Sequence, residues 1–246
     1  MLEPYLLLIG ALGILAGLLG GVIGFGTTII LTPVLVYQYG ALQTVPIVAV
    51  VAMVANASRV VLWWRDIDWR ITAVYSAAAV PTVVLGANTL VQLPERLVGL
   101  TLGVFLIALV PVRRWLRKRQ WRMQLWQMAL VGAAIGYLTG IVATTGPINT
   151  PFFLASGLLK GAYLGTEAAG SLAIFVTKAI VFSRLGVIDQ AAIGQGLWIG
   201  ACVFAGSMLS RRVVLALPEK VFLVLMEAVM LASGTAIVVM ASGGQG

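Results

Sequence analysis

Histidine is absent from this 246-residue chain, so Ser-His and Cys-His catalysis and histidine-based metal sites are excluded within it. Cysteine occurs once, at Cys202 inside an apolar run. No disulfide framework exists, and a lone thiol in that setting reads as a small buried hydrophobe. Charge is scarce: Asp, Glu, Lys and Arg together make up 10% of the residues, and none of them occurs from Pro4 through Ser58. The first five residues carry Glu3 and no Lys or Arg. The basic region of a cleavable signal peptide is therefore missing, and the first segment is expected to stay. Apolar side chains fill the rest, 61% of the sequence, with a mean hydropathy of +1.04. These values belong to an all-α polytopic membrane protein with one integral domain. With no metal cluster and no paired carboxylates inside the apolar spans, neither an enzyme nor a metal or cofactor is expected.

The net charge of +8 invites a nucleic-acid reading, but six of the sixteen basic residues sit in one run, Arg113 to Arg122. Between apolar spans, such a run reads as a cytoplasmic loop on anionic lipid headgroups, and no nucleic-acid partner is expected.

The length of the first apolar segment fits neither one membrane crossing nor two. A crossing takes about 20 apolar residues. If the next span takes Leu42 to Leu62, about 35 residues precede it, too many for one helix and too few for two with a turn. The excess falls at Gly20, Gly21, Gly24 and Gly26, where helix continuation is least favourable. Two half-helices meeting inside the bilayer are the natural reading, and a break at that depth survives only where protein or a water-lined cavity satisfies it. Leu42–Leu62, Ile71–Val91 and Leu97–Val112 follow as spans. Met123 through Leu159 is then a second charge-free stretch of 37 residues, which as one helix would extend about 55 Å against a core of about 30 Å. Its breakers are Gly140 and the run ATTGPINTP, Ala143 to Pro151. Thr166–Arg184, Ala191–Leu209 and Val221–Met240 complete the set.

The second half echoes the first. Gly13, Gly17 and Gly21 recur as Gly132, Gly136 and Gly140, and Arg59 and Arg65 as Lys178 and Arg184, all at an offset of 119. Pro33 recurs as Pro151 at 118, and LPER of Leu93–Arg96 as LPEK of Leu217–Lys220 at 124. If both broken segments are re-entrant, twelve basic residues lie in cytoplasmic loops and two outside; if both cross, the best split is nine against five. The first arrangement obeys the positive-inside bias better and gives each half an odd number of crossings. The expected fold is thus two inverted repeats, 1–112 and 123–246, joined by the basic loop 113–122, each a re-entrant or broken hairpin plus three transmembrane helices. Inverted repeats of this kind build many carriers.

Each hairpin would place the start of its second half-helix near the membrane midplane, where free N–H groups favour an anion. Thr27 and Thr28 open the first, and Thr144, Thr145, Gly146, Pro147 and Asn149 the second. Their hydroxyls and amide are candidate ligands for oxyanion oxygens. The alternative is that they only cap helix ends while the glycines permit close packing. Arg59 and Lys178, at equivalent depth, are candidate cations for the same anion, with Asn56 and Ser58 beside Arg59; the alternative is snorkelling to the headgroups. Glu227 lies inside a late span and either carries a coupled proton or pairs structurally. Glu167 is expected to begin a helix. Gly99 and Gly103 form a small-xxx-small step that would suit either a homodimer contact or packing within one chain.

The two Gly-rich broken segments, LLGGVIGFGTTIILTPVL and TGIVATTGPINTPFFL, with VANASRVVLWWRDIDWR after the first and TKAIVFSRLGVID after the second, make the chain similar to the sulfite exporter TauE/SafE family of anion transporters. The resemblance covers nearly the whole chain. It implies a secondary transporter of sulfite, organosulfonates or similar small sulfur oxyanions in the bacterial inner membrane. The residues alone imply a small anion, and an anion channel or a carrier of another anion such as a carboxylate stays open.

Overall fold

The structure, a computed structural model, describes residues 3–94, 123–142 and 144–214, with scattered positions within 97–115 and 224–239. Every regular element among the described residues is helical. In chain order these are α1 (Glu3–Ile23), α2 (Gly26–Trp63), a 3-10 turn (Trp64–Asp66), α3 (Trp69–Leu90), α4 (Leu125–Ile141), α5 (Gly146–Ala155), α6 (Lys160–Arg184) and α7 (Gln190–Val214). Among the described residues, four stretches are long and apolar enough to cross a membrane: Gly26–Asp66, Trp69–Leu90, Lys160–Arg184 and Gln190–Ser210.

Both long apolar segments are interrupted where their glycines and prolines stand. α1 stops at Ile23 and α2 begins at Gly26, while α4 stops at Ile141 and α5 begins at Gly146. α2 is itself divided, because Gly40 has φ 76° and ψ 165°, a backbone region that essentially only glycine adopts. The first arm, 26–39, therefore belongs with α1, and the second, 41–63, is the span read from the sequence. Starts elsewhere are set by polar side chains. The Asp68 carboxylate accepts from the amides of Arg70 (3.0 Å) and Ile71 (3.1 Å) to cap α3, and Asp189 accepts from Ala192 (2.6 Å) to cap α7. Gln124 and Gln127 form a capping box at α4.

The helix contacts come in pairs. α1 packs along α7, and α4 along α3; α2 meets α7, and α6 meets α3; α2 and α6 pack on each other. The recurring glycines make the first of these pairs possible. A Cβ on Gly17 would run into the Val203 carbonyl, and one on Gly136 into the Ala79 carbonyl. Gly13 likewise faces Ile199, and Gly132 faces Tyr75. Small residues let membrane helices approach to backbone contact, where dispersion is strongest. Two main buried cores result, with a smaller cluster of Ala49, Ala52 and Phe175 between α2 and α6. One gathers Ile9, Ile29, Leu35, Val48 and Val203 from α1, α2 and α7; the other gathers Tyr75, Val83, Ile135, Phe153 and Ile174 from α3 to α6. Leu8, Leu15, Leu130 and Leu197 stay exposed on the outer faces, as lipid-facing positions require. Trp64 and Trp69 pack edge to face at 5.0 Å beside the turn between α2 and α3, the placement of an aromatic belt.

Candidate functional site

The first break is closed by its own backbone and one threonine. Gly24, at φ 101°, donates its amide to the Gly20 carbonyl at 2.7 Å. Thr27 Oγ1 then donates to the Ala16 carbonyl at 3.0 Å. Eleven residues of continuous helix would hold those two about 16 Å apart, so the chain has folded back on itself. Gly20 leaves room for the contact, since a Cβ there would overlap the Thr27 hydroxyl.

At the second break, Thr139 Oγ1 donates to the Ile135 carbonyl at 2.7 Å and lies 2.5 Å from Thr145 Oγ1. Because the Thr139 proton is committed to Ile135, Thr145 is the donor of that pair. The carbonyls that α4 leaves free at its end are met from α6: Lys178 Nζ donates to Thr139 O at 2.5 Å and to Val142 O at 2.8 Å. An ammonium at a helix C-terminus also faces the negative end of the dipole. The two breaks touch, since Gly146 lies against Phe25 so closely that a Cβ on it would overlap the Phe25 side chain. Neither Phe25 nor Thr145 caps the helix it starts with a side-chain hydrogen bond. The start of α5 is satisfied locally, because Pro147 has no N–H and the Ile148 amide donates to the Thr145 carbonyl at 3.0 Å.

At that junction lies a small cavity of about 30 Å³. Thr27 and Thr28 line it from the first break, and Thr144 and Thr145 from the second; Asn56 and Arg59 enter from α2, Glu167 and Ser171 from α6. Arg59 is 4% exposed, and its Nη1 donates to Glu167 Oε2 at 2.8 Å. Its Nη2 donates to Asn56 Oδ1. The other carboxylate oxygen of Glu167 accepts from Ser171 Oγ at 2.7 Å and from Asn149 Nδ2 at 3.4 Å. Tyr75 holds Asn149 in turn, its hydroxyl donating to Oδ1 at 2.9 Å. A buried ion pair needs such further bonds to offset its desolvation.

Of the eight residues expected to bind substrate, Thr27, Thr28, Asn56, Arg59, Thr144 and Thr145 line this cavity. Asn149 stands one bond behind it through Glu167, and Lys178 is fully buried with its ammonium on the α4 carbonyls. Several of the hydroxyls have structural partners: Thr27 and Thr145 brace the breaks, and Thr28 reaches the Phe25 carbonyl at 3.4 Å. Thr144 Oγ1 accepts from the Gly146 amide at 3.4 Å. Ser58, buried, turns its hydroxyl to the Ala55 carbonyl at 2.8 Å. Arginine carries five N–H donors, two of them named above, so Arg59 retains donors for an oxyanion.

The sequence reading missed Glu167. It was expected at a helix start, yet α6 begins at Lys160, which sets Glu167 two turns inside and 2% exposed. The available signal was the charge balance, because an arginine in an apolar span calls for a carboxylate. Glu227, most of the basic run from Arg113 to Arg122, and Gly99 and Gly103 lie outside the described residues.

The family model for the sulfite exporter TauE/SafE matches residues 9–237, nearly the whole chain. Comparison with curated proteins and with solved structures finds no match. The chain therefore belongs to the sulfite exporter TauE/SafE family, a family of membrane transporters, and its long apolar helices make it a multi-pass membrane protein.

Proposed function

We propose that this protein is a secondary carrier of a small sulfur oxyanion, sulfite or an organosulfonate, which binds at the cavity where the two chain breaks meet. One observation carries the reading: a buried arginine and the starts of two interrupted helices converge on a single cavity formed by both halves of the chain. The donor set suits a compact oxyanion. Arg59 offers a forked guanidinium, Thr144 a hydroxyl, and the starts of α2 and α5 the positive ends of their dipoles. In this reading Lys178 holds the second break in shape and adds positive charge beneath it.

The paired helix contacts support an inverted repeat of 1–112 and 123–246 about the 113–122 loop, and hence alternating access by one hairpin and its scaffold rocking against the other. The positive-inside count supports placing the basic loop on the cytoplasmic face, and the family supports the bacterial inner membrane. An anion channel would use the same helix starts but would need a continuous pore. Reconstituted protein is expected to show saturable sulfite flux with counterflow. Single-channel currents would refute the carrier, and flux of a carboxylate but not of sulfite or methanesulfonate would move the substrate class.

A further inference from the structure

We infer that Glu167 is the proton-binding group of the transport cycle, displaced from Arg59 by the incoming anion and carrying a proton while that anion is bound. The inference rests on the anion site proposed above and adds to it the coupling ion and its position.

The argument starts from the contents of the cavity. Arg59 and Glu167 both line it, and each is the other's ion-pair partner at 2.8 Å. The oxyanion site is therefore already occupied by an internal carboxylate. A substrate that takes over the Arg59 donors places its negative charge beside Glu167, where little water screens the two. Like charges sharing one buried site are relieved when one of them is protonated.

Glu167 is held in a way that permits this. Oε1 keeps its bonds from Ser171 and Asn149, with Tyr75 behind, so the carboxyl stays in place when Arg59 turns away. Oε2, whose partner is Arg59, is the oxygen exposed by that turn and the one that takes the proton. Among the described residues, the groups around Glu167 leave no other acid–base partner as well placed. Arg59 and Asn56 face it from α2, Asn149 from α5, Tyr75 from α3 through Asn149, and Thr139 stands on the cavity wall from α4. The Tyr163 hydroxyl bonds Thr150 at 2.7 Å, and the Lys178 ammonium is engaged by the Thr139 and Val142 carbonyls.

The charges balance through the cycle. In the empty state Arg59 and Glu167 cancel. In the loaded state Arg59 cancels a monovalent anion, and Glu167 is neutral after taking one proton from water on the side of entry. Release of the anion lets Arg59 return to Oε2, and the proton leaves to water on the same side as the anion. One proton thus travels with each monovalent anion, in the same direction and without net charge movement.

Isothermal titration of the purified protein with sulfite and with methanesulfonate, each in two buffers of different ionisation enthalpy, counts protons taken up per anion bound. We expect about one proton more for the wild type than for Glu167→Gln, several-fold tighter binding by Glu167→Gln, and loss of binding by Arg59→Gln. Equal uptake by wild type and Glu167→Gln, with both binding, would overturn the proton site and leave the anion site standing. No binding of either probe by the wild type at millimolar concentration would overturn both. Should Glu167→Gln fail gel filtration, the wild type alone decides: uptake beyond the probe's own titration supports the assignment, and uptake equal to it refutes it.

Discussion

The two hairpins solve one problem with different residues. In the first, Gly20 stands where the chain doubles back, so the Thr27 hydroxyl reaches the Ala16 carbonyl directly. In the second, the position 119 residues later is Thr139, and its hydroxyl passes the bond from Thr145 on to the Ile135 carbonyl, itself 119 residues after Ala16. The basic residues diverge in the same manner. Arg59 turns to a carboxylate across the cavity, whereas Lys178 turns to the carbonyls that end α4. What both halves retain is a set of backbone groups satisfied across an interruption, because no lipid can satisfy them. The residue types that do so are free to change. In the proposed function this difference separates an arginine that meets substrate from a lysine that braces the second break.

That comparison can be broken most sharply at the two cations. Arg59→Met leaves Glu167 buried without its partner and is expected to cost about 3–5 kcal/mol; the melting temperature in detergent should fall steeply and recover in Arg59→Met/Glu167→Gln. Failure of the second change to restore stability would show that the pair is not what Arg59 contributes. Lys178→Met leaves two carbonyls short of a donor, at about 1–3 kcal/mol, and Glu167→Gln should not rescue it. Gly17→Ala and Gly136→Ala each force a methyl onto a facing backbone and should cost similar amounts, about 1–3 kcal/mol. Unequal losses would mean that the α1–α7 and α4–α3 contacts are not counterparts. By contrast Gly194→Ala, with open space around it, should raise stability by about 0.5–1 kcal/mol. Effects of similar or smaller size belong to the hydroxyls. Thr27→Val is expected to cost about 1 kcal/mol, and Thr145→Val less, because Thr139 still serves Ile135.

Much of this was legible in the residue order. Both interruptions fall at the glycine and proline clusters, because those residues weaken helix continuation wherever they stand. The offset of 119 was legible for the same reason: glycines that admit a neighbouring backbone cannot be exchanged for larger residues. Glu167 was hidden by its setting. The preceding KGAYLG reads as a loop from its glycines, yet Gly161 and Gly165 serve to pack against Trp63 and Ile67, and the helix runs straight through them. The partners of Thr27, Thr145 and Lys178 were beyond reach for another reason. They depend on how far each chain folds back, a tertiary quantity that periodicity does not contain.

Gly40 bears on all of this from a distance. The span that delivers Asn56 and Arg59 to the cavity is aimed by the torsion angles of that single residue, at φ 76° and ψ 165°. An L-amino acid placed there would relax towards ordinary helix, straightening the rod and swinging its far end. The guanidinium sits nineteen positions on, about 28 Å along the axis, so a few degrees at this elbow become ångströms at the anion's seat.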